Sequence, residues 1–198
     1  MSRPRIVVTR RIPALALELL GSAGELWVSP VDEPLPVAEL HAAIAGADAV
    51  VTMLHDRVDD AFLDAAGPAL RIVADVAVGF DNVDVAACTS RGVVVTNTPG
   101  VLTEATADIA MALVLMSTRR LGEAERLVRA GASWSWSMFF HLGVGIQGKT
   151  LGIIGLGQIG QATARRARAF GMEIAYAGPR RRPPEVEAAL DASYLPLD

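Results

Sequence analysis

The sequence holds a single cysteine, Cys88, so a disulfide framework is excluded and a reducing compartment fits. Cys88 falls in a helical pattern, Val85-Ala86-Ala87-Cys88, and reads as a small apolar filler rather than a nucleophile. Basic charge is not in surplus: the net charge is -4, which leaves no broad basic surface and argues against nucleic acid as a partner. Long apolar runs are missing too. The longest, Ile109 to Met116, is far short of the ~18 residues that suggest a membrane span. The opening Met1-Ser2-Arg3-Pro4-Arg5 leads into a short apolar strand without the hydrophobic region of a signal peptide, so a cytoplasmic, soluble protein is expected. No H-x-x-x-H or C-x-x-C spacing offers a metal site, and no Ser-His-Asp or Cys-His set is apparent.

What is present is an ordinary globular composition, 52% hydrophobic and 20% charged over 198 residues. That length suits one large domain or two small ones, with a core large enough to need no staple. The first hundred residues alternate short β-branched runs with helical patterns. The strands are expected at Arg5–Thr9, Leu26–Val28, Ala49–Thr52, Arg71–Ala74 and Val93–Thr96. Between them lie helices from Pro13, over Val37–Ile44, over Asp59–Ala66, and one ending at Arg91-Gly92. Such alternation means a parallel sheet with helices on both faces.

Thr98-Pro99-Gly100 breaks this pattern, and a domain boundary is expected at 99/100. Thr103 is placed to cap a long helix running to about Arg120. That helix is apolar nearly all round, which predicts burial on most sides, between domains or at a dimer contact. The stretch from Gly131 to Gly148, with Trp134, Trp136, Phe139 and Phe140, reads as an anchored surface arm. A strand over Thr150–Ile154, a helix over Gln158–Phe170 and a strand over Glu173–Ala177 follow. A short helix near Glu185–Leu190 and a third strand at Tyr194-Leu195, an unfinished sheet edge, close the chain.

The segment Gly155-Leu156-Gly157-Gln158-Ile159-Gly160 fits a G-x-G-x-x-G fingerprint in the context its chemistry demands, between an apolar strand and a helix free of Gly and Pro after Gly160. Gly155 permits the tight turn, Gly157 lets the backbone approach a pyrophosphate, and Gly160 allows close helix–strand packing. The helix N-terminus then offers open N–H groups and a partial positive charge. An NAD site usually carries an acid about 20 residues past the fingerprint. Here Gly178-Pro179-Arg180-Arg181-Arg182 has none. Arg180 and Arg181 can instead pair with a 2′-phosphate, which favours NADP(H), with NAD(H) still possible. A solvated turn is the other reading of these arginines. Arg165, Arg166 and Arg168 read as a solvated helix face.

Three stretches carry a family pattern: Val78-Gly79-Phe80-Asp81-Asn82-Val83-Asp84, Arg91 to Gly100, and Thr103-Glu104-Ala105-Thr106-Ala107-Asp108. Together with Trp134, Trp136, Gly148-Lys149-Thr150 and the glycine fingerprint, they resemble the D-2-hydroxyacid dehydrogenase family, its glyoxylate/hydroxypyruvate reductase branch above all. The resemblance implies α/β architecture: a flavodoxin-like substrate domain over 1–99, then the first half of a Rossmann NAD(P)-binding domain over 100–198, with substrate in the cleft between. It implies that Val78 and Gly79 offer backbone N–H groups to a substrate carboxylate, and that Leu54 and His55 line the substrate side. It places Leu102 and Thr106 near the nicotinamide, and Gln158 and Ile159 over the pyrophosphate. The implied partners are a small 2-oxoacid or 2-hydroxyacid and a second copy of the chain.

The family draws its chemistry from an Arg, a His and an acid in the later half of the nucleotide domain, and this chain reaches Asp198 without them. No residue of the chain is therefore assigned a catalytic role, and no turnover is expected from it alone. Of the three histidines, His41 reads as a partly exposed helix residue and His141 belongs to the arm. His55 lies near the expected cleft, with Asp56 and Asp59 close in sequence as orienting acids. Two readings stand beside each other: a reductase of glyoxylate or hydroxypyruvate using NADPH, and a truncated, non-catalytic nucleotide-binding or interaction protein.

Overall fold

A computed structural model describes residues 3–197, and the chain divides into two compact units, one ending at Val101 and one beginning at Leu102. In the first unit the order is β1 (Arg5–Val8), α1 (Ala14–Ala23), β2 (Glu25–Val28), α2 (Val37–Ile44), β3 (Ala49–Thr52), α3 (Asp60–Ala66), β4 (Ile72–Asp75), α4 (Val85–Ser90) and β5 (Val94–Thr96). Prolines open α1 and α2, since Pro13 and Pro36 fix the entering backbone where no N–H partner is needed. Asp59 and Asp84 open α3 and α4 by accepting from the N–H groups of Phe62 and Ala87.

All five strands pair in parallel in the order β2-β1-β3-β4-β5, the flavodoxin-like arrangement. Val7, Val50 and Val73 are fully buried, as strands covered on both faces require. They form one core with Phe62, Leu63, Ile44 and Cys88 from the helices. Cys88 is wholly buried, as a filler should be, and burial raises its thiol pKa.

The second unit contains α5 (Thr103–Thr118), α6 (Leu121–Arg129), β6 (Thr150–Ile154), α7 (Gln158–Ala169), β7 (Glu173–Ala177), α8 (Pro184–Leu190) and β8 (Ala192–Tyr194). Its sheet is parallel in the order β6-β7-β8, the mononucleotide-binding half of a Rossmann fold. The core gathers Met111, Leu156, Ala164, Ala167, Ile174, Tyr176 and Leu190.

Three expectations change here. Thr103 is the first residue of α5 rather than its cap; Leu102 holds the cap position, without a capping side chain. Only Ala107 and Met111 of α5 are buried, while Ile109 is 62% and Leu113 59% exposed. Val114 and Leu115 pack half-buried beside Met111 on the core of their own unit, while Ile109, Leu113 and Met116 stay exposed. The open sheet edge also lies at β6, not only at the third strand, and Ile154 on it is 81% exposed. Among the described residues no helix is long and apolar enough to cross a membrane.

Candidate functional site

In the second unit, β6 runs into Gly155, whose φ of +96° is a conformation that side chains of L-residues rarely adopt. Its N–H donates to the Ala177 carbonyl at 2.8 Å, fastening the turn to the end of β7. Leu156 is buried in the core and anchors the bend from below. Gly157 precedes α7 in extended conformation, and no side chain caps the helix. The N–H groups of its first turn are thus left for an anion. A Cβ on Gly160 would fall 2.3 Å from the Gly155 carbonyl oxygen, so no side chain fits there. A Cβ on Gly157 would meet only the Arg182 guanidinium, at 3.8 Å. Gly155, Gln158 and Ile159 are exposed, so the bend is open to solvent rather than covered by packing. These features fit the phosphates of a dinucleotide.

The first turn of α5 flanks this bend, because the Thr103 hydroxyl donates to Gln158 Oε1 at 3.3 Å. Leu102 and Thr106, both exposed, belong to the same end of α5. The two helices are cross-braced farther along. Arg166 reaches Glu104 and Asp108, each at 2.7 Å, and Arg165 reaches Glu104 at 3.0 Å. Arg168 spans to Asp191 and the Ala189 carbonyl. The expected solvated arginine face is in fact a set of ties, and hydrogen bonding from Arg166 lowers the Glu104 pKa.

The three successive arginines after β7 separate into different roles. Arg181 is held by Glu187, Nε to Oε1 at 2.9 Å and Nη2 to Oε2 at 2.7 Å. Glu187 also accepts the Tyr176 hydroxyl at 2.6 Å. Its pKa falls to about 2, first through the Arg181 bonds and then through Tyr176. Burial, reinforced by Glu187, pushes the Tyr176 hydroxyl up. Arg180 is exposed, and Arg182 turns toward Gly157. The sequence pointed to Arg180 and Arg181; spacing could not show that an acid on α8 engages the second and leaves the third beside the glycines.

In the first unit, Leu54 and His55 lie on the loop after β3, and Val78 and Gly79 on the loop after β4. Both loops sit at the carboxyl ends of parallel strands, where doubly wound sheets place ligands. All four residues are exposed. The Asn97 side chain donates to the Val78 carbonyl at 2.9 Å, while the N–H groups of Val78 and Gly79 donate to no described residue. Asn82, which sequence reasoning did not single out, joins the two loops. Its amide donates to the carbonyls of Met53 and Asp56 and to Asp75 Oδ1, at 3.3, 3.0 and 3.3 Å.

Neither acid near His55 orients it. Asp56 is buried and accepts from the Thr9 hydroxyl and the Met53 N–H. Asp59 is bound to Arg57 and caps α3, and the Phe62 N–H chiefly lowers its pKa. His141, in the arm, hydrogen-bonds the Arg120 carbonyl, and His41 is half-buried on α2.

The family described as D-isomer specific 2-hydroxyacid dehydrogenase, catalytic domain, matches residues 6–179. The glyoxylate reductase of Thermococcus kodakarensis is 47% identical over 99% of this chain and 60% of its own length. A glyoxylate reductase from Paecilomyes thermophila superposes with a TM-score of 0.80 at 30% identity, over 99% of this chain and 61% of that one. An NADPH-dependent glyoxylate/hydroxypyruvate reductase from Sinorhizobium meliloti, solved with NADP and malonate, gives 0.73 at 35% identity, over 98% and 57%. The chain thus spans about 60% of the length of the curated relatives it matches.

Proposed function

This chain belongs to the D-isomer specific 2-hydroxyacid dehydrogenase family, and on that premise we propose that its protein is an NAD(P)-dependent reductase of small 2-oxoacids, glyoxylate or hydroxypyruvate, that prefers NADPH. The open strand–glycine–helix bend with an uncapped α7 carries the proposal. When bound, the nicotinamide would supply the hydride that reduces the substrate carbonyl.

The residues of this chain bind and orient. Gly155, Gly157, Gln158, Ile159 and Gly160 hold the pyrophosphate against the α7 N-terminus, and Leu102 and Thr106 flank the nicotinamide side. The loop that carries Arg180, Arg181 and Arg182 stands where an acid would repel a 2′-phosphate, and it supplies positive charge there instead. Val78 and Gly79 present two N–H groups to the substrate carboxylate, an arrangement that binds an anion without a counter-charge. Leu54 and His55 border that position. No residue of this chain is assigned the proton transfer. A cytoplasmic setting is part of the same reading. So is a homodimer, supported by the uncovered apolar residues of α5 and by Trp136 and Phe139 of the arm, 80% and 79% exposed.

Fluorescence titration with NADPH tests the nucleotide site, and saturable binding that Gly157→Val abolishes is expected. Amide shifts on adding oxalate or glyoxylate test the substrate loops. Shifts confined to residues other than 54–55 and 78–79 would remove the carboxylate assignment.

A further inference from the structure

We propose that Arg182 is the residue that selects NADPH over NADH, that Tyr176 positions it, and that Arg181 is withheld from the cofactor by Glu187. The inference rests on the nucleotide-site reading above and assigns its specificity among three adjacent arginines. The geometry separates them. The Arg182 guanidinium stands 3.8 Å from where a Gly157 side chain would begin, so it borders the bend that receives the phosphates. Its backbone N–H donates to the Tyr176 hydroxyl at 2.7 Å. Tyr176 is 2% exposed and comes from the middle of the sheet, so its ring cannot drift.

The loop is held at a second point, where Tyr194 donates to the Gly178 carbonyl at 3.2 Å. Tyr194 packs edge-on against Tyr176, with ring centroids 5.3 Å apart. A loop tied at 178 and 182 presents the Arg182 side chain from a fixed base, which reduces the ordering cost of binding. Arg181 is different in kind. Its fork is matched to the Glu187 carboxylate, whose side chain is only 11% exposed. Engaging a phosphate would break two charge-assisted bonds and strand a negative group beside a dianion. Arg180 is exposed, and nothing in the structure aims it at Gly157.

The test is the NADPH-to-NADH ratio of dissociation constants, read by fluorescence on the intact 198-residue chain, with circular dichroism as the folding control. Arg182→Ala should weaken NADPH binding about tenfold while leaving NADH within about twofold, and Arg182→Lys should recover part of the loss. Tyr176→Phe should weaken NADPH alone, by about threefold, since the hold on the 182 backbone is lost, while Glu187, which loses the Tyr176 hydroxyl as well, keeps both of its bonds to Arg181. The paired change Arg181→Ala with Glu187→Gln removes one charge of each sign and should move the ratio by about twofold or less. An unchanged ratio in Arg182→Ala, or a ratio that collapses in Arg180→Ala alone, overturns the assignment. Equal losses for both cofactors in Tyr176→Phe overturn its positioning role. Failure of the unaltered chain to bind either cofactor overturns the nucleotide-site reading itself, a result distinct from the others.

Discussion

Gly160 shows how one hydrogen atom in place of a methyl group decides whether a site exists. A Cβ there would stand 2.3 Å from the Gly155 carbonyl oxygen, and that partner is backbone, so it cannot swing away. Gly160→Ala should therefore push α7 off the bend, costing roughly 1–3 kcal/mol by analogy with overpacked cores. Thermal denaturation should register the loss, and NADPH titration should show weakened binding. Glu187 gives a prediction in pH. Its pKa is lowered in the folded chain, so its contribution is complete above the ordinary carboxylate value and disappears as pH falls toward about 2. Glu187→Gln should flatten the acid side of the melting-temperature profile, and a variant with unchanged acid sensitivity would show that the clamp does not support the fold. Gly155 and Gly160 were legible because each meets a demand that no other residue satisfies, a positive φ at the first and a carbonyl oxygen against the Cβ position at the second. The arginine roles were not, because the partner that distinguishes them, Glu187, sits on a different element and the spacing between them carries no signal of its own.

At the level of elements, the strands and helices were readable because turn residues and prolines mark their limits. Val37–Ile44, Ala49–Thr52 and Thr150–Ile154 fall where the apolar runs place them. Failures occurred where packing, not pattern, decides. The α5 helix has apolar residues on every side, so periodicity could not say which stripe its own unit covers. Arg166 looked solvated because its acids, Glu104 and Asp108, are about sixty positions away. The uncovered α5 residues give an element-scale prediction. If they meet a second copy, Ile109→Glu with Leu113→Glu should yield a monomer in sedimentation equilibrium while far-ultraviolet dichroism stays unchanged; a variant that remains a dimer would move that interface elsewhere. Asn82 likewise joins elements, since one amide ties the loops after β3 and β4. Asn82→Ala leaves carbonyls without a donor and should cost roughly 1–3 kcal/mol in urea unfolding.

For the whole molecule, the parallel character of both sheets follows from β–α alternation, since parallel neighbours need a crossover between them. Strand order does not follow from it. That β1 lies between β2 and β3, and that β6 rather than β7 ends its sheet, depends on pairing choices that no single run reveals. The consequence bears on activity. Binding and proton transfer are separable properties, and the described residues provide for the first more clearly than for the second. The proposed binding rests on the uncapped N-terminus of α7 and on the N–H groups of Val78 and Gly79, which donate to no described residue. A proton donor needs an imidazole or acid with an orienting partner. Among the described residues His55 has none: Asp56 is turned to Thr9 and Met53, and Asp59 to Arg57 and the α3 cap. His141 is turned to the Arg120 carbonyl, which can fix a tautomer but cannot stabilise an imidazolium as a carboxylate does. The 198-residue chain mixed with NADPH and glyoxylate should accordingly show binding by fluorescence but no loss of absorbance at the dihydronicotinamide band above the enzyme-free rate. His55→Ala should leave both readings unchanged. Turnover that vanishes in His55→Ala would instead make His55 the proton donor, and would require its ring to find an acid that this conformation keeps occupied.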